Sequence, residues 1–395
     1  MKYKEGCVKM KVCAVVCEYN PFHFGHEYMI SKLKETGYAV VCIMSGNFTQ
    51  RGIPGMVSKY SRAEMAVNGG ADLVLELPFP YSSCNANVFC RAGVQIAESI
   101  GITDAIAFGS ESGDVAELKK QAEYFLSDEY KAIQDDMMSK GGVRSSETYM
   151  LEQEKELGSN DILAVGYLKA LIELNSRIEP VAIQRKGMRS NDLSGEGFLS
   201  SKSIRRIIND CIIYAKEVVP DYVYAVLTRD YMDMEYSEVN KLLFTYQSMF
   251  RMKKPEELYD CAELNEELAN RIVSSSNKSL SSDDLVMDIM TKIYSKSKVM
   301  RALLMGAVGV KKASVNKPSY TVMLGANDTG RLLIKEMKKS SAIPVITKQA
   351  DYTEFGDGVT EDYNLLLKAD SLWNLSLAQV KESGAEMKKV PFILK

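Results

Sequence analysis

Val15–Tyr28 reads VVCEYNPFHFGHEY and contains both histidines of the 395-residue chain, His23 and His26. An apolar run before it (Val12, Ala14, Val16) predicts a strand, and Met29, Ile30 and Leu33 after it predict a helix. Between them, Asn20-Pro21 marks a tight turn and His-x-Gly-His opens the helix. A helix N-terminus exposes unpaired N–H groups and carries roughly half a unit of positive charge, so a phosphate placed there is stabilised. Gly25 has no side chain to hold a ligand off the backbone. Two imidazoles about one turn apart can donate to a phosphate oxygen as negative charge develops on it. His23 and His26 are therefore the candidate catalytic residues. The competing reading makes both rings packing residues of a strand–helix junction; two of two histidines in one short string favours a ligand site.

Working outward, Tyr38–Met44, Ala71–Leu77, Ile102–Phe108 and Pro180–Gln184 are short, nearly continuous apolar runs, as in parallel strands buried on both faces. Helical segments separate them. One opens at Ser61-Arg62-Ala63-Glu64, a capping box with Ser61 as N-cap, and stops at Gly69-Gly70. Others run over Ala86–Ser99, Asp114 to about Lys140, and Asn160–Leu174 with Asn160 or Ser159 as cap. The alternation predicts an α/β fold with a parallel sheet. Ligands of such sheets sit beyond the carboxyl ends of the strands. Asn20–His26, Ser45–Arg51, Leu77–Tyr81 and Gly109–Glu111 occupy such ends and are expected to converge.

From about Pro220 the chain turns mainly helical, with one helix expected from Ser279–Ser282 to about Tyr294. A small strand–helix–strand unit follows over Tyr320–Leu324, Asp328–Lys339 and Ile343–Thr347. Leu324–Gly330 lacks the spacing of a dinucleotide fingerprint, so its glycines mark a turn. Trp373 is assigned to packing. Hydrophobic residues at 46% and charged residues at 26% are ordinary for a soluble chain, and a net charge of −3 argues against indiscriminate coating of nucleic acid. Eight cysteines without a Cys-x-x-Cys pair, beside only two histidines, give no metal site and suggest a reducing, cytoplasmic compartment. The run Val12–Cys17 is too short for a signal peptide, and nothing nears the ~20 apolar residues of a membrane span.

Two further stretches carry charge chemistry. Ser200-Ser201-Lys202-Ser203-Ile204-Arg205-Arg206 opens a helix with serines and cations in its first turns, which makes Ser201, Ser203 and Arg205 phosphate-binding candidates. A capped surface helix is the alternative. Lys292–Lys298 with Arg301, Lys311 and Lys312 is the most basic part of the second half and encloses Tyr294, as an RNA-binding surface or a solvated helix face would.

The string Glu18–His26 resembles the HIGH signature of the nucleotidyltransferase superfamily. Together with Met44–Gly52, Arg62–Ala66, Gly70–Val74, Leu77-Pro78, Phe108–Glu111, Asn160 with Ile162-Leu163, and Gln184–Gly187, it resembles the bacterial tRNA(Met) cytidine acetate ligases. The likeness spans most of the chain and is strongest from Val15 to Arg206. It implies a HIGH-type nucleotidyltransferase Rossmann-like parallel sheet, with residues 1–215 as the ATP-binding catalytic domain and 216–395 as a mainly helical, candidate tRNA-binding domain. Carried over by motif, the ATP site is Val16, Cys17, Glu18, Tyr19, Asn20, Pro21, Phe22, His23, Phe24, Gly25, His26, Glu27, Tyr28 and Met29, with Gly109, Asn160 and Arg185. Candidate tRNA contacts are Lys186, Arg189, Lys296, Lys298 and Arg301. The implied reaction activates acetate with ATP as acetyl-adenylate and transfers the acetyl group to N4 of the wobble cytidine in the anticodon loop of elongator tRNA(Met). Mg2+ is the expected companion of ATP, with ligands the sequence does not reveal. The alternative is a nucleotidyltransferase that adenylylates a small phosphorylated substrate without RNA. Two departures stand out: Asp161 occupies a position where the family usually has a second Asn, and Lys292–Arg301 is poor in arginine.

Overall fold

The computed structural model describes residues 10–139, 158–185 and 198–395. Its first half alternates β1 (Val12–Cys17), α1 (Phe24–Glu35), β2 (Ala39–Ser45), α2 (Lys59–Asn68), β3 (Leu73–Leu77), α3 (Ala86–Ser99), β4 (Ala105–Ser110), α4 (Val115–Leu126), α5 (Asp128–Ser139), α6 (Ser159–Glu173), β5 (Glu179–Gln184) and α7 (Ser201–Asp210). The segment after Asp114 is thus two helices where one was expected. α8 (Asp221–Met232), α9 (Val239–Arg251), α10 (Glu266–Lys278), α11 (Ser282–Ile289) and α12 (Lys296–Val308) follow. The chain then forms β6 (Thr321–Ala326), α13 (Asp328–Ser340), β7 (Val345–Ile346), α14 (Asp357–Leu375) and β8 (Phe392–Ile393).

The strands lie in the order β5-β4-β1-β2-β3-β6-β7, with β8 beside β6. β1 to β5 are mutually parallel, and the direction of winding reverses between β1 and β4. A crevice opens at the carboxyl ends of strands at such a reversal. Alternation along β1 divides two cores. Val12 and Ala14 pack on the face covered by α3 and α6, while Cys13 and Val15 belong to the other core, which continues into α1, α2 and the second-half helices.

The expected strand–helix–strand unit exists as β6–α13–β7, but it is not a separate sheet. β6 runs antiparallel beside β3, with an irregularity between Val74 and Leu75, and so continues the main sheet across residue 215. Two expected caps differ. α2 is capped by Ser58, whose side chain accepts the N–H of Ser61, so the helix begins one turn earlier than the Ser61 box implied. α6 follows Gly158 without a side-chain cap of its own; the Glu111 carboxylate accepts from Asn160 and Asp161 N–H at 3.4 and 3.0 Å. α11 stops at Ile289, short of Tyr294, so the basic run beyond it is a turn followed by the start of α12. Trp373 packs as expected, 1% exposed, its indole N–H on the Gly55 carbonyl at 2.9 Å. Among the described residues no helix is long and apolar enough to cross a membrane.

Candidate active site

The crevice is built where β1 ends. Tyr19 takes a left-handed backbone (φ +47°), a conformation that costs energy for a bulky residue. Burial compensates: its ring is 2% exposed, packs on Phe22 and His26 at 4.9 and 4.7 Å, and places its hydroxyl 3.3 Å from Cys42 Sγ. Asn20-Pro21 is a cis peptide. The Asn20 side chain accepts the Met56 N–H at 2.8 Å and its carbonyl accepts the Arg205 guanidinium at 2.6 Å.

His23 is the N-cap of α1. Its Nδ1 accepts the Gly25 N–H at 3.0 Å and its carbonyl receives the His26 and Glu27 N–H groups. In a neutral imidazole an accepting Nδ1 puts the proton on Nε2, so His23 presents Nε2–H as a donor. His26 stacks on it with centroids 3.7 Å apart. Gly25 suits this packing: a Cβ there would lie 3.0 Å from His23 Cε1, so the imidazole would have to shift to admit it. Burial, then the Arg185 charge, pushes the His23 imidazole down to about 3. His26 is partly accessible, yet Tyr19, Phe22 and His23 enclose its ring, and burial, then His23 and Arg185, push it well down too. Both rings are therefore neutral near pH 7. His26 Nδ1 is buried and unpartnered among the described residues.

Other candidate residues fall into distinct roles. Val16, Cys17, Phe22 and Met29 pack into the cores, and the Pro21 carbonyl lies 3.5 Å from the Ser201 hydroxyl. Glu18 accepts the Gln50 N–H at 2.7 Å, and Glu27 accepts the Tyr222 hydroxyl at 2.9 Å. Phe24 is exposed beside the imidazoles, and Tyr28 packs on Phe198 at 5.9 Å. The Arg185 stem passes Gly109, and Asn160 donates to Glu111 at 2.6 Å. Ser203 N–H is already capped by Ser200, and Arg205 grips the Asn20 carbonyl, so this helix start braces the histidine turn. Leu77 pairs with Ser45 at the end of β2, so Leu77–Tyr81 lies beside the Ser45–Arg51 loop, two strands out from β1. Just beyond it the Gln50 amide donates to Cys84 O at 3.1 Å, while Tyr81 donates to Lys317 O.

Asp161 does not face the crevice as a spare carboxylate. It is 2% exposed and accepts from Ser110 Oγ at 2.5 Å, Glu111 N at 3.1 Å and Ser112 N at 3.2 Å, locking the loop after β4.

The basic stretch is also rearranged. Arg301 is 9% exposed, and its Nε and the Lys298 ammonium share the Glu263 carboxylate at 3.1 and 3.0 Å. That same carboxylate accepts from Asn85 at the start of α3. Tyr294 is 3% exposed and hydrogen-bonded to Asn265 and Glu267. Arg301 and Tyr294 are thus scaffold groups rather than a surface offered to RNA, and Lys298 is half-buried against Glu263. Lys296 is exposed; Lys186 and Arg189 lie outside the described residues.

Sequence reasoning missed the residues that hold the crevice from behind. Arg62 is fully buried and donates to the carbonyls of Glu18 (2.6 Å), Ser45 (3.2 Å), Gly46 and Val57 (3.3 Å), tying the ends of β1 and β2 to α2. Lys59 and Glu76, also fully buried, pair at 3.0 Å. The signal was present. A carboxylate within the apolar run LVLEL demands a partner inside, and Lys59 and Arg62, three apart, lie on one face of the next helix back.

A family model described as HIGH Nucleotidyl Transferase matches residues 10–388. The tRNA(Met) cytidine acetate ligase of Clostridium novyi (strain NT) is 37% identical over 365 residues, covering 86% of this chain and 90% of that protein. The tRNA(Met) cytidine acetate ligase of Acetivibrio thermocellus is 34% identical over 382 residues, covering 89% and 91%. The crystal structure of Thermotoga maritima TmcAL bound with alpha-thio ATP superposes with a TM-score of 0.87 at 27% identity, covering 98% of this chain and all of that one. The chain belongs to the HIGH nucleotidyl transferase family and, within it, to the tRNA(Met) cytidine acetate ligases.

Proposed function

We propose that this protein is an ATP-dependent ligase that activates acetate and acetylates the wobble cytidine of elongator tRNA(Met). The observation that carries the reading is the stacked, neutral imidazole pair at the N-terminus of α1, in the crevice between β1 and β4. Acetate attacks the α-phosphorus of ATP; a P–O bond forms to the carboxylate and the bond to diphosphate breaks. No covalent enzyme intermediate is needed, so catalysis rests on positioning and on stabilising charge that grows on the phosphate oxygens. Nε2–H of His23 is the donor offered to that charge and Arg185 adds a full positive one, since the Gly25, His26 and Glu27 amides are already bonded to His23. In the second step the cytidine N4 amine attacks the acetyl carbonyl carbon, AMP leaves, and the amine gives up a proton. The base must be splayed out to reach the anhydride, which an anticodon loop permits.

Mg2+ travels with ATP and would neutralise its outer phosphates. Among the described residues no group of three His, Cys, Asp or Glu side chains is placed to hold a metal ion, so no protein ligand is assigned. The helical part beyond residue 216 is the proposed tRNA-facing region, with Lys296 exposed on it. The described cysteines are all free thiols, in keeping with a cytoplasmic setting.

The test is incubation with ATP, labelled acetate and total bacterial tRNA, followed by nucleoside analysis. Label in N4-acetylcytidine is the expected result. ATP–diphosphate exchange that ignores acetate but requires a small phosphorylated substrate would overturn the reading.

A further inference from the structure

The loop Ser45–Gly52 forms one flank of the crevice. It presents Gln50 N–H to the Glu18 carboxylate, and Gly52 (φ +70°) lies so close to α12 that a Cβ would sit 2.6 Å from Arg301 N. A second set of contacts holds the loop through Asn47. Asn47, 1% exposed, accepts the Lys59 N–H at 2.8 Å and donates to Asp370 Oδ1 at 2.9 Å and Glu386 Oε2 at 3.2 Å. The other Asp370 oxygen accepts Lys59 Nζ at 2.9 Å, and Glu76 accepts the same ammonium. Trp373, one turn after Asp370 on α14, donates to Gly55 O, beyond the end of the same loop.

Lys59 and Glu76 are fully buried, and Asp370 and Glu386 are 3% and 1% exposed. Buried ion pairs are weak devices for stability, since apolar residues of the same size often do as well. What this one adds is direction: its carboxylates hold Asn47 Nδ2, while the Lys59 backbone N–H holds Oδ1. We propose that Asp370, assisted by Glu386, is a positioning residue for adenylate formation, holding the Ser45–Gly52 loop through Asn47 so that Gln50 and Glu18 stand in register with the imidazole pair. The inference rests on the reading of that crevice as the ATP site. It makes a helix more than 300 residues downstream a working part of the nucleotide site.

The test uses the full-length chain, with the ATP dissociation constant and acetate-dependent ATP–diphosphate exchange as readouts. Asp370→Asn sets amide against amide at Asn47 and is expected to lower kcat/KM for ATP about tenfold or more, mainly through KM. The reciprocal swap, Asn47→Asp with Asp370→Asn, lets the new amide donate to the new carboxylate. Glu386→Gln accompanies the swap, so that an amide donor faces the new carboxylate where Glu386 had accepted from Asn47. The swap is expected to restore ATP affinity to within about threefold of wild type. Leu268→Ala, in the core of α10, is the control that lowers the melting temperature without touching the loop. Wild-type ATP affinity and exchange in Asp370→Asn would overturn the inference, as would a swap that recovers nothing while Leu268→Ala, at equal melting temperature, loses as much. A wild-type chain that binds and exchanges ATP in those cases leaves the site reading intact; one that binds no ATP sinks both.

Discussion

Asp161→Asn exchanges one carboxylate oxygen for an amide nitrogen and leaves the shape alone. In the wild-type protein the two oxygens accept three hydrogens, from Ser110 Oγ and Glu111 N on one side and Ser112 N on the other. An asparagine has one oxygen to offer. Turned toward Ser110 and Glu111, it leaves its NH2 facing the Ser112 N–H, 3.2 Å away in the native geometry, donor against donor. One bond to a charged acceptor is lost, a buried N–H is stranded, and the other two bonds weaken. At about 1.5–3 kcal/mol for a hydrogen bond to a charged group, the expected loss is about 2–4 kcal/mol. The assay is equilibrium urea unfolding of both proteins at pH 7.5, with ATP affinity on the same preparations. The Gly109–Glu111 loop frames the crevice, so affinity is expected to fall a few-fold with stability. A stability change under about 0.5 kcal/mol would refute the reasoning, because it would mean that an amide satisfies this loop as well as a carboxylate.

His23→Asn separates two roles of one side chain: an Asn oxygen can still cap the Gly25 N–H, but it has no Nε2–H. Near-native stability is expected with exchange down about 100–1000-fold in kcat, and retention of a third of the rate would remove His23 from the chemistry. The depressed His23 pKa also sets a slope in stability. The unfolded imidazole takes its proton near 6.5 and the folded one near 3, so acidification through that window favours the unfolded chain, while nothing changes above 6.5. Urea midpoints against pH should fall more steeply for wild type than for His23→Asn between those limits. Glu263 behaves in the opposite sense. Burial alone would raise its carboxyl, but Arg301 and then Lys298 outweigh it and hold it down to about 2. Glu263→Gln is expected to cost about 3–5 kcal/mol at neutral pH. The gap should close as pH falls from 4.5 toward 2, and a pH-independent difference would contradict the ion-pair account.

The first five strands were legible because each is a short apolar run bounded by turn residues, and that pattern is local. The histidine turn was legible for the same reason, since strand, turn and helix start are consecutive. Pairings across distance were not. Lys298 and Arg301 look like a free basic face until Glu263, 35 and 38 residues earlier and itself in a strained left-handed conformation (φ +62°), is seen to hold both. The place of β6 beside β3 depends on antiparallel register between segments that share no local signal. Ser58 and Ser61 show a finer limit. Two serines three apart both suit a cap, and packing of α2 decides between them.

The order of the strands also has a consequence in time. β3 is complete at Leu77, but its outer neighbour β6 ends only at Ala326. At about 5–20 residues per second, a growing chain waits roughly 12–50 s before that edge is covered. Throughout synthesis of the helical half, LVLEL lines the rim of an unfinished sheet, an invitation to stray strands that only the charge of Glu76 discourages. Ribosome-stalled chains ending before Thr321 should therefore engage chaperones, and those released beyond Ala326 should let go.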